Sequence, residues 1–373
     1  MNRFWCIGLL LFQMPLVAQN EFNFDGQLSG VGNWAPESDA FGLLNVRYLP
    51  ELNYDWKLNE NNSLYFEASA NVYGSTSFYS DSIVPDANVS PYRIWTRFSG
   101  ENYEVRLGLQ KIDFGSAMIL RPLQWFNEID PRDPLAITDG VNALLGRYYF
   151  KNNANIWLWG LYGNDDPRGF DIAKSYYKHP EFGGRFQHPV PKGELAVSYH
   201  HRTADLTNLF PLPKLEQIPE NRFGLDGKWD VGIGLWFESA YIIKEKELGE
   251  QFLGTLGMDY TFRLGRGLNV VVEHMYIEYA LEGAGLNVHS NTSALNIAYP
   301  IGFFDNLSVF MTYSWEAEAA SFFLNYQHNF RKVTTYLMAF YTPSTSLNFG
   351  NEDTDFVSSF TGPGLRLMVL LNH

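Results

Sequence analysis

Residues 46–58 read VRYLPELNYDWKL. The even positions Val46, Tyr48, Pro50, Leu52, Tyr54, Trp56 and Leu58 face one way in an extended chain. The odd positions Arg47, Leu49, Glu51, Asn53, Asp55 and Lys57 face the other. Successive side chains of a β-strand point to opposite faces, so this stretch has one apolar face and one wet face. The alternation runs well past the length of an ordinary half-buried strand. After the turn-forming Asn59-Glu-Asn-Asn62 it resumes, with Leu64, Phe66, Ala68, Ala70 and Val72 set against Tyr65, Glu67, Ser69, Asn71 and Tyr73.

The same pattern recurs along the chain. Arg93, Trp95 and Arg97 oppose Tyr92, Ile94 and Phe98, and Glu104, Arg106 and Gln110 oppose Val105, Leu107 and Leu109. Arg222, Asp226 and Lys228 oppose Phe223, Leu225 and Trp229, and Leu365, Leu367, Val369 and Leu371 share one face at the end of the chain. Short connections such as 191–193 and 265–267 alternate with long ones such as 164–181, 203–220 and 342–363. A soluble β-sandwich does not account for so many strands with one aromatic face and one face of Arg and Glu. The pattern predicts an all-β transmembrane antiparallel up-and-down barrel of roughly 16–18 strands, with lipid on the apolar face and water on the other. The parity of Trp157-Leu-Trp159 and of Phe322-Phe323 is ambiguous.

Composition agrees. Aromatic residues make up 16% of the chain, yet the mean hydropathy of −0.20 is that of a polar protein. A barrel reconciles the two, because only alternate residues meet lipid. No stretch beyond the N-terminus is long and apolar enough for a membrane-spanning helix. Arg3, the apolar run from Phe4 to Leu16, and Val17-Ala18 read as a secretory signal over residues 1–18, leaving 19–373 as the barrel. Cys6, the single cysteine, leaves with that signal, so no disulfide is expected. A net charge of −14 argues against nucleic-acid binding, which needs a basic footprint.

One connection breaks the rhythm. Residues 111–140, KIDFGSAMILRPLQWFNEIDPRDPLAITDG, mix proline and charges of both signs with the apolar Met118, Ile119, Leu120, Trp125 and Phe126. A surface loop needs few such anchors, whereas a loop packed on the inner wall of a barrel does. Gly108-Leu-Gln110, Phe114-Gly115, Arg121-Pro122, Phe126-Asn127 and Asp130-Pro-Arg-Asp-Pro134 resemble a pattern of Gram-negative outer-membrane porin-like proteins. The chain departs from that pattern in ending on Asn372-His373 rather than on an aromatic residue. The resemblance implies a bacterial outer-membrane pore narrowed by an inward-folded loop, passing small polar or ionic solutes, with lipid around it. Many barrels of this kind are homotrimers.

By parity Arg47, Arg93, Arg97 and Arg106 face the lumen. The loop brings Asp113, Glu128, Asp130, Asp133 and Asp139, with Lys111, Arg121 and Arg132 among them. Opposed charges in a narrow channel focus the field and select solutes. The alternative, compatible with the first, is that these charges pair to hold the loop. Tyr65, Tyr73, Trp95 and Trp236 also share the water face, where they could form a sugar-stacking track, with ordinary aromatic packing the stronger reading.

The rival classes are a lipid-hydrolysing barrel enzyme and a sealed structural barrel. His289-Ser290 faintly resembles the His/Ser region of outer-membrane phospholipases, but adjacent strand residues point apart and would not meet as base and nucleophile. No HExxH spacing, Walker motif or dinucleotide fingerprint occurs, and no cofactor or metal is expected. Asp165-Asp166 and Asp353-Thr-Asp355 read as solvated loop acids. The function expected is passive diffusion, without catalysis.

Overall fold

The computed structural model describes residues 21–171, 173–207, 217–244, 249–281, 286–343 and 361–373. The segment read as a signal, the Asp353–Asp355 pair and most of the 342–363 connection lie outside the described residues.

The strands are β1 (Glu21–Trp34), β2 (Ala40–Lys57), β3 (Ser63–Tyr79), β4 (Ile83–Ser99), β5 (Tyr103–Gln110), β6 (Val141–Tyr149), β7 (Asn155–Leu161), β8 (Lys174–Ser175), β9 (Glu181–Val190) and β10 (Gly193–Asp205). They continue as β11 (Gln217–Asp230), β12 (Gly234–Lys244), β13 (Glu250–Phe262), β14 (Leu268–Leu281), β15 (Leu286–Pro300), β16 (Asp305–Ser314), β17 (Ala319–Asn329), β18 (Val333–Thr342) and β19 (Gly362–Asn372). Neighbours pair antiparallel around the sheet, and β1 pairs with both β2 and β19, which closes it. The two-residue β8 is no separate stave, because it pairs with β10 beyond the point where β9 stops. The barrel therefore has eighteen staves, within the range read from the alternation. Closure removes every sheet edge, the only way a β-structure can satisfy its backbone groups in lipid.

Alternation sorts each stave as expected. Leu107, Leu158, Leu256 and Leu367 point outward and are 57%, 62%, 68% and 53% exposed, while their chain neighbours Arg106, Trp157, Thr255 and Arg366 point in. The ambiguous stretches resolve the same way, with Trp159 and Phe323 buried inward and Leu158 and Phe322 facing out. One rim carries only tight connections of five residues or fewer, such as 58–62, 150–154 and 191–192. The other rim is uneven. β2, β3 and β4 have 18, 17 and 17 residues, but β5, β6 and β7 only eight, nine and seven. The wall is low where the 111–140 segment leaves β5. At the seam, Gly26 and His373 exchange two backbone hydrogen bonds of 3.0 Å, and the His373 imidazole stacks on Tyr48 at 5.9 Å.

Candidate functional site

The chain leaves β5 through Gly108, whose φ of +122° and contact with the Ile94 carbonyl exclude a side chain. Buried Gln110 then donates its amide N–H to the Ala143 carbonyl across the strand pair, at 2.9 Å. From there the 111–140 loop crosses the lumen to the far wall. Gly115, at φ +111°, lies so close to Glu238 that a Cβ would stand 2.3 Å from its carboxylate. The backbone N–H groups of Ala117 and Leu123 donate to Glu238 (2.8 and 2.6 Å). Those of Met118, Ile119 and Leu120 donate to Glu273 (2.7, 3.0 and 2.5 Å). The Trp236 indole N–H also donates to Glu273 at 2.8 Å, and Ser116 donates to Asp226 at 3.0 Å. Three carboxylates on β11, β12 and β14 thus hold the loop, each satisfied by charge-assisted hydrogen bonds.

Of the five apolar anchors expected, four are buried: Ile119, Leu120, Trp125 and Phe126 are 8%, 0%, 2% and 1% exposed. Met118 corrects that expectation. It is 52% exposed, because its backbone turns toward Glu273 and leaves the side chain on the open side. Phe114 packs edge-on to Trp125 and Trp157 and stacks on Trp159 at 5.5 Å. Trp236 is no part of an open stacking track, being sealed under the loop as a hydrogen-bond donor.

The twelve charged residues singled out by sequence take different partners, with Lys111 beside Asp113 at 3.5 Å. Arg121 binds Asp113 at 2.6 Å and Arg132 grips both oxygens of Asp130, so two cations serve within the loop. Asp133 accepts from the Leu135 and Ile137 amides (2.9 and 3.2 Å), fixing the return turn. The Glu128 amide donates to Thr138 Oγ1, and Arg93, 6% exposed, donates to the Thr138 carbonyl at 2.6 Å. Arg106 and Arg147 share Glu104 at 2.9 and 3.1 Å. Arg47 and Arg97 have no carboxylate within ion-pair distance among the described residues. They lie over the rings of Tyr73 and Tyr65 at 5.2 and 5.0 Å.

Burial pushes the Asp113 carboxyl up, but the charge and hydrogen bond of Arg121 outweigh it and hold the group below its usual value. An acid lowered in the folded state adds stability above the ordinary carboxylate range and loses it as pH falls through the folded value. Asp113→Asn should therefore lose less stability than the parent as pH falls below the ordinary carboxylate range, measured by thermal unfolding in detergent. Asp133 has the opposite sign, since burial raises it, so the comparison is between parent and variant at each pH.

A second connection also turns inward, which corrects the reading of 164–181 as a plain surface loop. Asp165 and Asp166 are exposed as expected, but Arg168, Ala173 and Ser175 are buried. Arg168 donates to both oxygens of Glu181 (2.9 and 2.8 Å). Asp171 accepts from Arg202 and Arg222 (2.7 and 2.5 Å), which both also bind Glu220. Nearby, Arg185 makes a two-pronged bond to Asp226 (2.6 and 2.9 Å). The Trp159 indole donates to His200 Nδ1 at 3.1 Å, so the ring proton sits on Nε2 and points at Glu181, 3.1 Å away. Arg222 and Asp226 were legible as wet-face residues. Their partners were not, because strand parity says which face a residue takes but not what meets it.

The two inner loops fill one half of the lumen. Inward residues of β9–β14, such as Arg185, His200, Arg222, Glu238 and Glu273, are each 5% exposed or less. Inward residues of β2–β4, including Arg47, Glu51, Asn53, Tyr65, Glu67, Trp95 and Arg97, stay half-buried. Tyr65 and Trp95 lie 5.2 Å apart, with Arg97 and Arg106 over their faces at 5.0 and 5.3 Å.

His289 and Ser290 lie within β15 rather than in a loop, as adjacent residues on opposite faces. Among the described residues no group of three His, Cys, Asp or Glu is placed to hold a metal ion.

The architecture is similar to solved outer-membrane proteins. OmpT of Vibrio cholerae, in a trimer form, aligns over 95% of this chain and 99% of its own, with a TM-score of 0.55 and 8% identity. OmpF of Salmonella typhi, solved with daunomycin, aligns over 95% and 98%, with a TM-score of 0.50 and 10% identity. The fold is that of outer-membrane porin-like barrels. At this identity the likeness concerns the porin fold alone. No protein-family model matches the chain, and no curated protein does.

Proposed function

We propose that this chain is a bacterial outer-membrane porin that passes small hydrophilic solutes or ions by diffusion, without catalysis or cofactor. The unequal lumen carries this reading. One half is sealed by two clamped loops, while the inward faces of β2–β5 keep half-buried polar and charged side chains. A stave wall that only closed a barrel would not need Arg47 and Arg97 unmatched by carboxylates, since a charge away from water and without a partner is costly. The passage runs along this wall, between Arg47, Arg97 and Arg106 and the loop edge carrying Asp113, Arg121, Glu128, Asp130 and Asp133. Arg93 and Arg132 set its width by holding the loop. Lipid surrounds the apolar belt, and a homotrimer is the expected assembly, as in the trimer form of the Vibrio cholerae protein.

Reconstitution in a planar bilayer tests the reading. The folded chain should show discrete conductance steps and a reversal potential in a salt gradient. Arg97→Glu, which leaves the loop clamps intact, should shift the anion-to-cation permeability ratio toward cations, on the order of a few-fold. No conductance above that of bare lipid would mark a sealed barrel. Conductance with an unchanged ratio would remove Arg97 from the passage.

A further inference from the structure

Between the second inner loop and the inner wall lies a cavity of about 50 Å3. Strand register sets Arg222, Ile242, Gln251 and Tyr279 side by side across β11 to β14. It sets Arg202, Glu220 and Lys244 in the adjacent row. The Arg202–Asp171–Arg222–Glu220 quartet carries two positive and two negative charges and compensates itself. Among the described residues no carboxylate lies within ion-pair distance of Lys244. Glu250 does not answer it, because its side chain turns to the outer face and accepts from the Tyr241 hydroxyl.

Gln251 is the second observation. It is 2% exposed and lines the cavity, and its carbonyl oxygen accepts from Lys244 Nζ at 3.2 Å. Among the described residues its amide nitrogen has no hydrogen-bond partner. A buried N–H pair without an acceptor is costly and uncommon in native interiors. An ammonium and a free amide side by side ask for an acceptor with negative charge. The four charged residues of the quartet also line the cavity, and the remaining lining is mostly apolar, with Phe170, Leu206, Ile218 and Ile242 among it.

We propose that this cavity binds a small monocarboxylate with a short apolar body, of about the size of propionate. The carboxylate meets Lys244 and the Gln251 amide, and the alkyl group meets Phe170 and Ile218. A cavity of this volume has room for a few waters or one such anion. The inference goes beyond the porin reading and does not depend on conduction.

The test is calorimetric titration of sodium propionate into the full-length chain, purified and folded in detergent. Folding is checked by the shift in electrophoretic mobility on heating. The parent should bind saturably, and Gln251→Leu and Lys244→Met should each bind about tenfold more weakly or worse. Gln251→Glu keeps the size of the side chain and should repel the anion, so one unstable variant does not decide the matter. Propylamine should not bind, and chloride at equal concentration should not displace propionate. Absence of saturable binding to the folded parent would overturn the proposal. So would unchanged affinity in the variants that fold, or displacement by chloride, which would make the site a general anion site.

Discussion

Glu273→Leu is expected to free the inner loop, lowering stability by several kcal/mol and enlarging the passage. The parent carboxylate accepts from three consecutive backbone amides and the Trp236 indole. All four donors lose their acceptor at once, and the site is fully buried. Each buried unmatched donor costs about 1–3 kcal/mol. Water entering beside the exposed Met118 offsets part of this, so a net loss on the order of 4 kcal/mol is expected. Denaturant unfolding of the detergent-solubilised barrel measures the loss, and single-channel conductance measures the loop. A variant with parental stability and conductance would show that Glu273 is not a clamp.

Arg185→Leu is expected to have a comparable effect on stability by a different route. Arg185 and Asp226 are 3% and 2% exposed at their side chains, and once the guanidinium is gone Asp226 keeps, among the described residues, only the Ser116 hydroxyl. Removing one partner of a buried ion pair costs about 3–5 kcal/mol, chiefly because the remaining charge is stranded. Arg185→Leu combined with Asp226→Leu should recover most of the loss, since an apolar pair of suitable volume fills such a site at little cost. If the double variant is as unstable as the single one, the pair is holding the loop through Ser116 rather than only neutralising itself. The same unfolding experiment separates the outcomes.

The two results bear on what a sequence reveals. The inner loop was legible as a segment, because alternation stops near Gln110 and a strand pattern returns near Gly146 to Tyr149, in the strand that the structure begins at Val141. Its burial was legible from Ile119, Leu120, Trp125 and Phe126, since such side chains have no reason to lie in water. Met118 belongs to the same run and was misread, because hydrophobicity does not say which way a clamped backbone turns. The charges Arg93, Arg97 and Arg106 were all assigned to one wall. Their tasks differ for reasons of height along the barrel. Arg93 reaches the loop carbonyl at Thr138, Arg106 finds Glu104 two residues away, and Arg97 finds only aromatic rings.

The second inner loop was not legible at all. Arg168, Asp171 and Ser175 are ordinary residues for a solvated loop. Their burial depends on Arg202, Glu220 and Arg222, distant in sequence and brought beside them by the closed sheet.

By itself, then, the sequence determined that the chain is a barrel, which face of most staves points outward, and that the 111–140 connection turns inward. These follow from a period-two pattern and from apolar content, both local properties. Only the tertiary structure decided that Glu238 and Glu273 clamp the loop, that a second loop joins it, and that the inward charges of β2–β4 stay half-buried. The reason is that such pairings depend on curvature and register accumulated over eighteen staves, and no local stretch contains that information.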